Sequence, residues 1–443
     1  MTKQLFLSAL LACGIATGAM AQSEDKIEST DLTAEYKDFK QFRIGGYGEL
    51  VAAFKDYGTN RFYGHPEGNP KESRNTIAMP RFVLAGDYRF NSKWSLGIEI
   101  EFEAGGVGTA YELENSENGE YETEMEKGGE VALEQFHITR LIDRAFNVRV
   151  GHMILPVGQN NGHHEPINFF GTVRPEGETT IVPNTWHETG IEFFGSFGRK
   201  YAKFNYQAFI TTGLNANGFD RNTWVGSGKQ GMFEVDNFTS PGYTARLDWV
   251  GVPGLRLGGA FYYCANTCSN SDKSSTYEGK KAPLRIWNID AQYKNKYVEA
   301  RMNYLAGSLT NSTLISSKNG KLSNKSGYTR VMPVAHHAVA VGGEVGLNLK
   351  GIFNGGSKFP VVLPFFRYEY YNPQQEVIVD DLNATPAEER NKVSMIVAGL
   401  NWRPIPNLVV KADYTTRSIG GGKYNSENEF AVGIAWTGWF YQK

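Results

Sequence analysis

The chain lacks long apolar runs. Among its 443 residues there is no stretch of about eighteen or more consecutive apolar residues, and a helix needs about 20 to span a bilayer. A bundle of transmembrane helices is therefore excluded. If the chain crosses a membrane, it must do so as a closed β-barrel, in which the backbone hydrogen bonds are satisfied between strands.

The chain also has few cysteines and a small net charge. The 45 Lys and Arg residues nearly balance the 47 Asp and Glu residues, and neither half of the chain carries a basic block. A nucleic-acid partner is therefore not indicated. Of only three cysteines, Cys264 and Cys268 are close enough in sequence to form a small local disulfide in an oxidising compartment.

The first residues have the order of an export signal. Lys3 precedes a short apolar stretch over residues 5–16, and Ala19 and Ala21 follow at the spacing of a cleavage site. We expect cleavage after Ala21. An alternative is lipoprotein processing at Cys13, but it leaves a very short apolar region and does not use the two alanines.

Alternation of apolar and polar residues dominates the rest of the chain. The clearest segment alternates Trp94, Leu96, Ile98, Ile100 and Phe102 with Ser95, Gly97, Glu99, Glu101 and Glu103. A helix cannot place five apolar residues on one face at this spacing, whereas a strand between lipid and water does. Sixteen such strands are predicted, beginning near residues 42, 77, 93, 131, 146, 188, 201, 242, 255, 284, 297, 337, 361, 393, 408 and 429.

The predicted connections alternate in length. Short links fall near residues 91, 143, 197, 252, 295, 353 and 404, and long links cover residues 56–75, 104–128, 156–187, 213–240, 265–282, 307–335, 372–391 and 416–428. This rhythm is typical of an all-β transmembrane antiparallel barrel with short periplasmic turns and long extracellular loops. The predicted segments are a signal peptide (1–21), a periplasmic lead (22–41) and an outer-membrane β-barrel (42–443).

A soluble β-sandwich also alternates and is the structural alternative. It does not explain the long and short links, nor the six tryptophans expected near strand ends. Those tryptophans are Trp94, Trp249, Trp287, Trp402, Trp436 and Trp439. The 50 glycines and 13% aromatic residues also fit a barrel, which needs apolar residues on only one face of each strand.

Catalytic motifs are absent: there is no phosphate-binding Walker loop, no zinc-protease helix and no nucleophile elbow. His163, His164 and Glu165 lie together in one long loop with His187 at its end. Adjacent histidines on a loop generally point apart, and no further ligand stands at a metal-binding spacing, so no metal site is expected. The sequence predicts neither an enzyme nor a cofactor.

Five segments share a pattern with known porins through their content and their order along the chain. They are Val150–Gly158, which ends in a Pro-x-Gly step, Glu188–Phe193, Phe366–Asn372, Leu400–Pro404 and Asn407–Tyr414. Together they resemble the phosphate-selective porin O and P family of Gram-negative bacteria. The resemblance implies a homotrimer of sixteen-stranded porins whose third loop, here residues 156–187, folds inward. The residues expected at the constriction are His163, His164, Glu165, Phe169, Phe170, Arg174, Glu176 and Trp186, with Arg149, Arg246 and Arg367 on the facing wall.

We therefore expect a passive outer-membrane channel for small polar or anionic solutes, with membrane lipid around it. Phosphate itself is less clearly indicated, because acidic residues such as Glu99, Glu101 and Asp248 share the predicted lumen with the arginines. A plugged surface adhesion or binding barrel is the alternative. A transporter of hydrophobic compounds would need an N-terminal plug, for which the polar lead has too few apolar residues.

Overall fold

The computed structural model describes residues 31–33, 40–58, 67–106, 111–115, 121–125, 130–230, 235–271, 274–321, 331–356 and 359–443. The predicted signal peptide lies outside these residues, as does most of the predicted lead.

Nineteen strands occur in the described part of the chain. They are β1 (Phe42–Lys55), β2 (Arg74–Ala78), β3 (Arg81–Asn91), β4 (Trp94–Glu103), β5 (Tyr111–Asn115), β6 (Tyr121–Met125), β7 (Glu130–Leu141), β8 (Asn147–Ile154), β9 (His187–Arg199), β10 (Ala202–Thr211), β11 (Gly242–Val252), β12 (Leu255–Cys264), β13 (Leu284–Lys294), β14 (Val298–Leu309), β15 (His337–Leu347), β16 (Val361–Glu376), β17 (Val393–Ile405), β18 (Leu408–Ile419) and β19 (Ser426–Gln442).

In the described ranges the α-helices are few and short. They are α1 (Glu176–Ile181), α2 (Ser312–Asn319) and α3 (Leu349–Ile352). Among the described residues, no helix combines the length and apolar character needed to cross a membrane.

The strands form a closed antiparallel barrel of sixteen strand positions. Successive wall strands pair with one another, with β4 followed in the wall by β7, and β1 pairs with β19 to close the sheet. β2 and β3 share one position, because β1 pairs with β2 along one half of its length and with β3 along the other. Met79 and Pro80 separate the two, and proline cannot donate a hydrogen bond to the sheet. β5 and β6 form a separate hairpin. The predicted fold and strand count are confirmed.

Three predicted connections need correction. The turn expected near residue 197 lies at residues 200–201, because β9 continues to Arg199. The long link expected at 416–428 shrinks to residues 420–425, since β18 and β19 pair from Leu408 to Ser418 and extend further than the apolar alternation does. The short link near 353 is longer than expected, because it contains α3.

Burial is inverted relative to a soluble protein. Outward-facing Val150, Leu257 and Tyr414 are 52%, 44% and 52% exposed. Inward-facing Thr139 and Glu192 are fully buried. Apolar side chains thus cover the outside of the barrel and polar ones its interior, as the alternation predicts for a wall between lipid and water.

Candidate functional site

The segment between β8 and β9, residues 155–186, lies inside the barrel, and we call it the inner loop. Its two ends are joined by the hydrogen bond from Leu155 N to Trp186 O, 2.7 Å. Leu155, Phe170 and Trp186 are fully buried. The loop therefore packs against the wall and the outer loops and is not an exposed lid.

Glu178 of α1 holds the first part of the inner loop in place. Its carboxylate accepts hydrogen bonds from the backbone N–H groups of Gln159, Asn160 and Asn161 at 2.8–3.0 Å. The wall residue Asn303 also donates to it, at 2.6 Å. Burial raises the pKa of Glu178 to about 7, although the backbone donors act in the opposite direction.

Gly158 allows the carboxylate of Glu178 to approach the backbone of the inner loop this closely. Its φ of +97° is unfavourable for residues with a side chain. A Cβ at this position would lie 2.2 Å from Glu178 Oε1. The Pro-x-Gly step of the sequence is thus the point where the backbone turns around the carboxylate of Glu178.

Cations of the wall bind the carbonyl groups of the inner loop. Lys411 Nζ of β18 donates to the carbonyl oxygens of Pro166, Phe169 and Gly171 at 2.5, 2.7 and 2.9 Å. Arg367 of β16 likewise donates to the carbonyl of the inner loop at residue 173, at 3.1 Å. Both wall cations therefore bind carbonyl groups of the loop, and Arg367 is also paired with Glu344 of the wall.

Carboxylates of the same wall bind the loop's N–H groups. Asp413 accepts from Thr172 N at 2.6 Å, and Glu369 accepts from Gly177 N at 2.9 Å. The inward charges of both signs on β16 to β18 thus have a common use, which is to fix the backbone of the inner loop.

A cavity of about 850 Å³ lies beside the inner loop, towards the end of the barrel that carries the short turns. Among the residues that the structure describes, seven cationic residues of its wall face seven acidic ones. The cations are Arg43, Arg149, Arg246, Arg256, Lys294, Arg301 and Arg403, and the acids are Asp31, Asp87, Glu99, Glu165, Glu192, Asp248 and Glu299. Several form ion pairs, including Arg149 with Glu192 at 2.9 Å and Arg246 with Asp248 at 2.7 Å.

Five of the eleven predicted constriction residues line this cavity. They are His163, His164, Glu165, Arg149 and Arg246. The other six lie elsewhere around the inner loop. They are Phe169 under the ammonium of Lys411, Phe170 stacked on Phe365, Arg174 bonded to Asn184 and Thr185, Glu176 bonded to Tyr371 and Arg417, Trp186 against Tyr262, and Arg367 paired with Glu344. A constriction role for these residues stays a prediction.

The sequence interpretation missed Glu178, Lys411, Asp413 and Glu369 as site residues. Lys411, Asp413 and Glu369 occupy inward positions of their strands, which was the one available signal. Their partners are backbone groups about 190 to 245 residues away, and such contacts leave no pattern in a single sequence.

The outer end of the barrel contains an apolar core. Trp186 of the inner loop and Tyr262 of the wall have ring centroids 4.6 Å apart. Outer-loop residues complete this buried cluster, among them Leu214, Phe219, Trp224, Tyr277, Ile315 and Val334. Cys264 and Cys268 belong to it and are free thiols in the structure, without the disulfide considered above.

Comparison with known sequences gives a match over part of the chain. No family model matches the chain. An uncharacterized protein of Aquifex aeolicus (strain VF5) is 30% identical over 181 residues, which make up 41% of this chain and 34% of that protein. The chain thus matches about a third of the length of that relative.

Solved outer-membrane proteins share the barrel. The structure of Salmonella typhi OmpF in complex with daunomycin matches with a TM-score of 0.53 at 11% identity, covering 91% of this chain and 99% of that one. The outer membrane channel DcaP of Acinetobacter baumannii gives 0.52 at 11%, covering 90% and 97%. The anion-selective porin from Comamonas acidovorans gives 0.50 at 9%, covering 90% and 99%. At these identities the likeness shows a porin-type barrel fold.

Proposed function

We propose that the protein is an outer-membrane porin, a passive diffusion channel for small polar or anionic solutes. The observation that carries the proposal is the charged cavity of about 850 Å³ beside the inner loop, enclosed by a barrel whose outer surface is apolar. A porin uses such a barrel to cross the membrane and an inward segment to narrow its lumen. The chemistry is binding and passage without an enzymatic step or a cofactor.

The balance of charge around the cavity supports weak ion selectivity. Seven cationic and seven acidic side chains line it, and rings of one charge would be needed for a strong preference. The resemblance to phosphate-selective porins makes phosphate the first anion to test. The same resemblance implies a trimeric assembly, and we also propose a homotrimer.

Planar-bilayer recordings test the channel. The purified protein should give stepwise currents, and the reversal potential under a salt gradient should show weak selectivity. A fall in current on adding phosphate supports a phosphate-binding lumen, and unchanged current restricts the proposal to a general porin. Native mass or light scattering in detergent should give the mass of three chains, and the mass of one chain would contradict the trimer.

A plugged surface-binding barrel is the second candidate. The apolar core at the outer end favours it, because buried residues of the inner loop and of several outer loops meet there. Folded protein that carries no current in the same recordings would replace the channel proposal with this one.

A further inference from the structure

Three potential metal ligands converge where the inner loop meets the wall at β4 and β7. One ligand atom each of Glu99, Glu134 and His164 lies within 4.8 Å of the others. His164 Nε2 is 3.3 Å from Glu134 Oε1. Ligand atoms at about 2.0–2.1 Å from a tetrahedral zinc ion are about 3.3 Å apart, so this pair already has the spacing of two ligands.

A β-bulge aims Glu134 into the lumen. β4 and β7 pair Glu99 with Gln135 and Ile100 with Leu133, so Glu134 is an extra residue in the ladder. The inward face of β7 therefore receives Glu134 beside Glu99 of the adjacent strand. Bulges are concentrated next to functional sites, where they redirect a side chain.

The carboxylate of Glu134 is buried and incompletely paired. The side chain is 0% exposed. Its Oε2 accepts a hydrogen bond from Tyr47 OH at 3.2 Å, but Oε1 has no hydrogen-bond partner among the described residues. A buried ionised carboxylate needs a counter-charge or a metal ion, and Oε1 points to the place where an ion would be shared with His164.

The histidine is prepared for coordination through Nε2. His164 Nδ1 lies 3.3 Å from the carbonyl oxygen of Asn161, which can accept a hydrogen bond from Nδ1–H. A metal-binding histidine usually donates its second ring N–H in this way, and the remaining nitrogen then has its lone pair free for the ion. Tyr47 OH, 2.8 Å from Nε2, would have to turn fully towards Glu134.

Glu99 and the cavity give the ion a route. Glu99 and His164 both line the cavity, and Glu99 is only partly buried. Its Oε2 accepts from Gln135 at 2.7 Å, and this hydrogen bond orients the carboxylate beside Glu134. Arg81 and Arg174 place positive charge nearby and oppose the ion, while two carboxylates favour it.

We propose that Glu99, Glu134 and His164 form a binding site for a divalent transition-metal ion such as Zn²⁺, which links the inner loop to β4 and β7. Two carboxylates and one imidazole suit zinc, and the ligand set is too nitrogen-rich for a typical Ca²⁺ site. The ion would be bound at the cavity wall and leaves the channel proposal unaltered.

Zinc titration of the folded protein tests the site. Full-length protein without a histidine tag, treated with chelator in detergent, should bind about one Zn²⁺ per chain in a calorimetric titration. Glu134→Gln and His164→Ala should each weaken the affinity by at least about tenfold. His163→Ala is the matched control, because this neighbouring histidine also lines the cavity but is not in the cluster, and its affinity should equal that of the wild type.

Failed folding must be separated from lost binding. The heat-dependent gel shift of a folded barrel checks each variant, and Glu99→Gln at the partly exposed position serves if a buried variant does not fold. Visible absorption of bound Co²⁺ should show a four-coordinate ion in the wild type. No saturable zinc binding, or equal affinity in wild type, E99Q, E134Q and H164A, would overturn the site. Neither result depends on current, so the channel proposal is tested separately.

Discussion

The inner loop meets two different sides of the barrel. On the side of β16 to β18, charged wall groups are matched to backbone groups of the loop, as Lys411 is to three carbonyls and Asp413 to Thr172 N. On the side of β4 and β7, Glu99, Glu134 and His164 converge. We call these the anchoring side and the acidic side.

The difference shows how the same residue types serve two purposes. A charge that meets a backbone dipole at 2.5–2.9 Å fixes the loop and has little capacity left for a ligand. A carboxylate oxygen that is buried without a hydrogen bond, as Glu134 Oε1 is among the described residues, retains that capacity. The position of the loop is therefore determined largely on the anchoring side, and Arg81 of β3 adds a hydrogen bond to His164 O at 2.5 Å. Ligand binding is expected on the acidic side.

Replacing Lys411 by methionine should break the anchoring side most severely. The change leaves three loop carbonyls without their donor, and the expected loss of stability is about 3–9 kcal/mol, from about 1–3 kcal/mol per unsatisfied buried group. Denaturant unfolding of the barrel in detergent measures it, and single-channel records should become noisier as the loop moves.

The matched control is Lys296→Met. Lys296 Nζ contacts Asn354 at 2.8 Å in an exposed turn, where such contacts contribute little. Its unfolding midpoint and current should equal those of the wild type. Equal losses in both variants would show that the loss in the Lys411 variant does not arise from anchoring of the loop.

The second prediction concerns the pH dependence of the Glu178 contact. Because burial raises the pKa of Glu178 to about 7 from 4.5, its contribution favours the folded state below about pH 4.5 and is lost as the pH rises through 7. The stability of the wild type relative to Glu178→Gln should thus fall by on the order of 3 kcal/mol between pH 4 and pH 8.

Unfolding midpoints of the two proteins across that pH range measure this difference. The glutamine variant has no titrating group at this position and is therefore the reference for the wild type. If the stability of the wild type relative to the variant rises with pH instead, the three N–H donors stabilise the charged carboxylate by more than burial destabilises it.

The wall of the barrel could be predicted from the sequence more completely than its interior. Strand alternation is local, so it located the sixteen strand positions within a few residues, and it failed mainly where pairing extends a strand beyond its apolar residues, as in β18 and β19. The contacts of the inner loop are different. Lys411 and its carbonyl partners are 240 or more residues apart, and backbone acceptors carry no residue signature.

One interior feature did have a local signal. Apolar residues of β7 face outward at Val131, then at Phe136 and Ile138, so the alternation slips by one residue between them. The adjacent Glu134 and Gln135 mark the slip. A bulge could therefore have been predicted from the sequence, but not the approach of His164, since the path of the inner loop depends on the distant anchoring side.

The third prediction concerns the ion selectivity of the two sides of the cavity. Glu99 on the acidic side and the cationic Arg149 on β8 both line the cavity. The described lining carries seven charges of each sign. A single charge in such a wet space changes the energy of a passing ion by on the order of 0.5 kcal/mol. Glu99→Gln should therefore raise the anion-to-cation permeability ratio by about twofold, and Arg149→Gln should lower it by a similar factor.

Reversal potentials under a salt gradient measure both changes, with chelator present so that no bound metal ion alters the charge at Glu99. Opposite shifts of similar size would place both side chains on the ion path. A shift in Arg149→Gln alone would mean that ions pass only along the wall around β8 and β9, because Arg149 faces Glu192 there. The acidic side would then be a pocket beside the path, open to a bound ion but not to the current.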